Sequence, residues 1–191
     1  MLNIVSGLFS EGAPPVAPTS YESIATTTVG GGGSSTITFS SIPSTYKHLQ
    51  IRFIGRSTDT GGDRIGQKIQ FNSDTGANYS RHQLFGDGAS AAANGTANAT
   101  YILSGLSELT AANAPANTFG VGVLDILEYA NTSIYKTTRA LAGQDQNSSS
   151  GRIFLASGNW RNTAAITSIT LAPETGNYVQ YSQAALYGIK G

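Results

Sequence analysis

The sequence predicts an all-β protein, an antiparallel β-sandwich of jelly-roll-like topology with an extended N-terminal arm. Three observations predict it. The 191 residues include 22 Ser, 21 Thr, 12 Asn and 23 Gly, a mix of strand formers and turn formers. Apolar residues alternate with polar ones in short runs, and turn residues punctuate the chain every 8–12 positions. No stretch carries a sustained helical period. The length fits one domain, residues 21–191, with a sizeable core.

The elements follow in order. Residues 1–20 (MLNIVSGLFSEGAPPVAPTS) stand apart. Leu2, Ile4, Val5, Leu8 and Phe9 are apolar, and Gly12, Pro14, Pro15 and Pro18 oppose a helix and favour an extended path. There is no basic n-region, because the first basic residue is Lys47, so a signal peptide is not indicated. The expectation is an arm that lies on a neighbouring subunit, anchored by Leu8 and Phe9. From Tyr21 to Thr27 residues alternate as in a strand, ending at Gly30–Gly33. These four glycines read as a hairpin connection to a returning strand at Ser35–Phe39, not as a phosphate loop, since no Lys-Ser/Thr or helix follows.

Lys47–Ser57 (KHLQIRFIGRS) alternates cleanly, with Leu49, Ile51 and Phe53 on one face. Ile65–Phe71 is the next strand, Asn72–Asn78 a turn, and Tyr79–Phe85 a further strand. Gly86–Asn98 reads as a long Gly/Ala/Asn/Ser loop. Order resumes over Thr100–Leu109. Asn117–Tyr129 (NTFGVGVLDILEY) is strongly apolar and reads as a central strand, with Lys136–Ala142 as its hairpin partner across Asn131–Ser133. Gln144–Ser150 is a polar loop. Arg152–Ser157, Ala165–Leu171 and Val179–Ile189 complete nine or ten strands.

Composition excludes several functions. Eleven Lys+Arg balance eleven Asp+Glu, and charged residues are 12% of the chain. Such a chain has no electrostatic footprint for nucleic acid. It contains no Cys, hence no disulfide, thiolate metal site or Cys nucleophile. Its longest apolar runs are too short to span a bilayer as a helix. A surface this poor in charge does little to keep copies apart.

Candidate chemistry is sparse, and no cofactor is expected. His48 and His82 occur without H-E-x-x-H or H-x-E spacing, and hydrogen bonding is the better expectation for both. Asn72-Ser73-Asp74-Thr75-Gly76-Ala77-Asn78 loosely resembles a calcium loop, but loop position 12 is Gln83 and Asx-Gly runs are ordinary turns. Asp59 and Asp63 around Gly61-Gly62 read the same way. Asp125 is expected to be satisfied by a turn or by Arg139 across its hairpin. No G-x-S-x-G elbow is present, and no acid sits in a pattern that suggests a raised pKa, so no catalytic residue is assigned. Sugar binding is the stronger competitor. Tyr79, Phe85, Trp160, Tyr178 and Tyr181 are the candidate aromatics, with Gly86–Asn98 and Gln144–Ser150 as loops; the alternative is that Trp160 closes one end of the core.

Four segments carry a family resemblance: SIPSTYKHLQIRFIGR (Ser41–Arg56), NYSRHQLFGDG (Asn78–Gly88), LDILEYANTSIYKTTRALAG (Leu124–Gly143) and YSQAALYGIKG (Tyr181–Gly191). Together they resemble small virion structural proteins of tailed bacteriophages, notably those of cyanophages and other aquatic phages. The likeness runs from about residue 21 to the end and leaves the first 20 residues outside it. It implies a non-enzymatic sandwich building block of the virion, assembled in the host cytoplasm, and carries over no catalytic residues. The expected role is a capsid decoration (cement) protein, a homo-oligomer (a trimer on a local three-fold axis), with the arm reaching the major capsid protein or an adjacent copy. The alternative is a tail-associated fibre, tip or adaptor module.

Overall fold

A computed structural model describes residues 20–148 and 150–191, without the side chains of 104–107. The arm residues Leu2, Ile4, Val5, Leu8, Phe9, Pro14 and Pro15 lie outside the described residues. Twelve strands are present: β1 (Tyr21–Thr28), β2 (Ile37–Phe39), β3 (His48–Gly55), β4 (Arg64–Phe71), β5 (Tyr79–Gly86), β6 (Ala91–Ala99), β7 (Ile102–Thr110), β8 (Gly120–Leu127), β9 (Lys136–Asp145), β10 (Gly151–Trp160), β11 (Ile169–Pro173) and β12 (Gln183–Ile189). No helix occurs among the described residues.

The strands form two antiparallel sheets packed face to face. One has eight strands in the order β1-β12-β3-β8-β9-β10-β5-β6; the other has four, in the order β2-β11-β4-β7. Set aside β5, β6, β9 and β10, and the remainder is β1-β12-β3-β8 against β2-β11-β4-β7. That is the strand order of an eight-stranded jelly roll, so the predicted fold class holds. The four extra strands are two hairpins, β5–β6 and β9–β10, inserted in loops of the jelly roll. They join side by side through β10 and β5 and lengthen one sheet to eight strands.

The core lies between the sheets. Leu49, Ile51 and Phe53 of β3, Leu124 and Ile126 of β8, and Leu186 of β12 face Ile37, Ile69, Phe71 and Leu171 of the small sheet. Alternation does this: β3 and β8 of the large sheet send every second side chain inward. Two buried or half-buried cations are satisfied by backbone carbonyls. Lys136 is fully buried, and its Nζ donates to the carbonyls of Asn131, Ile134 and Thr163, which fixes the β8–β9 connection. The Arg56 guanidinium donates to the carbonyls of Ala112, Ala114, Pro115 and Thr118 and pins the segment before β8.

Two expectations are corrected. Gly30–Gly33 does not close a hairpin: β1 and β2 belong to opposite sheets, and the glycines cross the end of the sandwich. A turn hydrogen bond from Gly33 N to Gly30 O and a positive φ at Gly33 make the reversal. Gly86–Asn98 is not a loop: Ala91–Ala99 pairs with β5 as an edge strand. Its small residues carry little strand propensity, and the ladder to β5 supplies what propensity lacks.

Candidate functional site

The outer face of the eight-stranded sheet carries the chief unsatisfied surface of the described residues. The cross-strand register places Val123, Leu141, Leu155 and Leu84 in one line over β8, β9, β10 and β5. Ile54, Val121 and Ile153 form a second line beside it, broken by Gly143. Leu84, Leu141, Ile153 and Leu155 are each more than half exposed. Isolated exposed aliphatics are ordinary, but a contiguous set aligned across four strands marks an interaction surface. Ala93 of β6 extends the first line on one side and Arg52 of β3 on the other.

The local cause is alternation with both phases apolar. In β8, Leu124 and Ile126 are buried, while Val121, Val123 and Leu127 point outward. In β10, Phe154 and Ala156 are buried, and Ile153 and Leu155 point outward. Strands covered on one side by the core and bare on the other do not need apolar residues on both phases.

The face is concave. A shallow hollow of about 1220 Å³ is lined by Arg52, Phe119, Val121, Val123, Leu141 and Ile153. Residues 86–89 at the tip of the β5–β6 hairpin, Gln144 and Asp145 at the end of β9, and Ser148 of the β9–β10 connection form its rim. A second, of about 660 Å³, lies against Leu84, Ala93, Arg139 and Leu155. The polar border is already paired. Arg139, one of the two partners expected for Asp125, meets it at 2.7 Å across the β8–β9 pair, and Gln50 donates to Asp125 at 2.8 Å. Arg52 stacks over the rings of Tyr21 and Tyr187.

Beneath the face, charge fastens the inserted hairpins to the small sheet. Arg152 lies over the rings of Phe85 and Phe154, and its guanidinium reaches Glu108 of β7 at 3.2 Å. Arg64 approaches the other Glu108 oxygen at 3.5 Å. Burial pushes the Glu108 carboxyl above the usual carboxylate range, against the pull of both arginines.

The predicted aromatic site is not assembled. Tyr79, Trp160 and Tyr178 are buried. Trp160 and Tyr79 stack at 6.4 Å, Phe71 packs on both, and Tyr178 packs on Phe53. Their polar ends are occupied: the Trp160 indole N–H donates to Asp74 at 2.7 Å, the Tyr79 hydroxyl sits on the Phe71 and Asp74 carbonyls, and Tyr178 accepts from Gln67. Phe85 packs inward on Phe154. Large rings with satisfied polar tips are core material, so these four are corrected from a candidate surface site to structure. Parts of the two segments expected as loops, residues 86–89 and Gln144, Asp145 and Ser148, meet at the rim of the larger hollow.

The calcium-like turn is likewise in use by the fold. Asp74 accepts from Trp160, Asn78 and the Gly76 N–H. Asp59 takes the Gly61 N–H and the Thr175 hydroxyl. His48 Nδ1 accepts from the Glu128 N–H, and His82 lies exposed on β5 against Gly95. No group of three His, Cys, Asp or Glu that could hold a metal ion occurs among the described residues. Sequence reading missed the aliphatic face. The signal was there: β8 and β10 are apolar in both phases, but outward positions cannot be told from inward ones without knowing which face is covered. No protein-family model matches this chain, and no curated protein matches it in sequence.

Proposed function

We propose that this chain is a non-enzymatic structural subunit of a tailed-bacteriophage virion, a decoration protein that stabilises the capsid lattice. The observation that carries the assembly part is the aliphatic row Val123–Leu141–Leu155–Leu84, displayed across four strands of a rigid sheet. A charge-poor domain with such a face gains most by burying it against another subunit. The virion part rests on the four sequence segments and on a fold that recurs among viral capsid domains as well as lectins and cupins. A protein that binds only the assembled lattice adds its binding free energy to that lattice, and many equivalent sites multiply the effect.

A second reading, a tail-associated receptor- or glycan-binding module, draws support from the convergence of two hairpin tips on the larger hollow. Quantitative mass spectrometry of purified virions separates the two. A copy number of the same order as the major capsid protein is the result expected for decoration. A few per cent of that number would favour the tail. Absence from the particle would overturn both.

A further inference from the structure

The aliphatic row on the large sheet is uncovered among the described residues, and the same chain carries an apolar segment at residues 2–9. We infer that residues 2–9 of one copy lie across this row on a second copy, so that the protein self-associates by exchanging N-terminal segments. This rests on the assembly reading above for the claim that the face docks a partner, and it names the partner.

Chemistry comes first. Leu2, Ile4, Val5, Leu8 and Phe9 supply five apolar side chains, and the only charged side chain before Ser20 is Glu11. The row offers Val123, Leu141, Leu155 and Leu84, flanked by Ala93. Apolar area on each side is the dominant attractive term for such a match. Length agrees: eight extended residues span about 26 Å, and the six strands from β3 to β6 span about 24 Å at ordinary strand spacing.

The exit path chooses a second copy over the chain's own face. β1 is the edge strand, and its ladder to β12 continues upstream through Lys190 N donating to Ser20 O. Tyr21 is opposite Ile189, Ile189 is opposite His48, and His48 lies at the Leu127 end of the sheet. Val123 is four residues away along β8, toward the other end. At Ser20 the chain therefore runs parallel to the strands and away from its own row. The next seven residues upstream include Pro18, Pro15 and Pro14, which favour a stiff polyproline path of about 3.1 Å per residue. From Ser20 a return to the chain's own row would require a reversal of direction; delivery to a neighbour requires none. Exchange is reciprocal, so a closed symmetric assembly leaves no row empty.

The test uses the purified full chain with Phe9→p-benzoylphenylalanine, mixed as unlabelled and nitrogen-15-labelled protein and irradiated. The expected result is crosslinks from position 9 to peptides bearing Val123, Leu141 or Leu155, found in mixed light–heavy pairs. Crosslinks within single chains, or to another face, would overturn the proposal. In parallel, Leu8→Asp with Phe9→Asp, and separately Leu141→Glu with Leu155→Glu, should each weaken self-association by roughly a hundredfold or more in sedimentation equilibrium. Circular dichroism confirms that the exposed substitutions leave the fold intact. A native full chain that sediments as a monomer at every concentration would also overturn the exchange. The virion reading stands or falls separately, on the presence of the chain in particles.

Discussion

Asp74 shows how one side chain holds a corner of the fold. It ties the 72–78 turn to Trp160 at the end of β10. Burial works to raise its pKa, but hydrogen bonds from Trp160, Asn78 and the Gly76 N–H together outweigh burial and hold it below the ordinary aspartate value. A carboxyl with a lowered folded pKa contributes stability above its unfolded value, and that stability is lost as pH falls through the folded value. Acid unfolding should therefore steepen below about pH 4. Urea titrations from pH 7 downward should show Asp74→Asn less stable than the native chain at neutral pH, with a shallower loss on acidification. Parallel acid limbs for the two proteins would remove Asp74 from the account. The turn chemistry at this site was legible in the run of Asx and Gly residues. Its use as the cap of a buried tryptophan was not, because residues 74 and 160 meet only after β5 and β10 pair.

Among the elements, β8 depends on a glycine at its first position. A Cβ on Gly120 would stand 2.0 Å from the Glu108 carbonyl oxygen of β7, in backbone that cannot move without shifting the strand. Gly55, its partner across the β3–β8 pair, is crowded by Phe53 and Leu109. Here the small sheet presses close on the large one. Gly120→Ala should destabilise the protein by about 1–3 kcal/mol, read as a lower urea midpoint at unchanged slope. Gly30→Ala, with open space at the Cβ, is the control expected to change little. At the opposite edge, β6 is exposed along nearly its whole length and pairs on one side only. Its amides should exchange with deuterium faster than those of β10, which is paired on both sides. Equal protection in the isolated chain would mean that something covers the β6 edge.

For the whole molecule, the two inserted hairpins lengthen the large sheet of the jelly roll and supply three of the four row residues, Leu141, Leu155 and Leu84. The jelly-roll strands supply most of the described core, from Val29 onward, and a chain beginning at Ser20 keeps all of those residues. It should melt in a single cooperative transition whose midpoint is independent of protein concentration. The full chain, if it associates through its N-terminal segment, should melt at a temperature that rises with concentration. A truncated chain without a cooperative melt would place residues 1–19 inside the folding unit.

The sequence by itself determined the local facts: strands where apolar residues alternate, turns where Gly and Asx cluster, Arg139 as one partner open to Asp125 across an adjacent hairpin. Each depends on neighbours a few positions apart, and the period of a strand is written in such neighbours. Tertiary structure decided which sheet a strand joins, which phase of an apolar strand is covered, and whether an aromatic is core or surface. Gly30–Gly33 crosses between sheets, Ala91–Ala99 becomes a strand, and Trp160 turns inward because of partners far away in the chain. The aliphatic face belongs to the same class. Val123, Leu141, Leu155 and Leu84 come from four strands, and only the pairing of the two inserted hairpins lines them up.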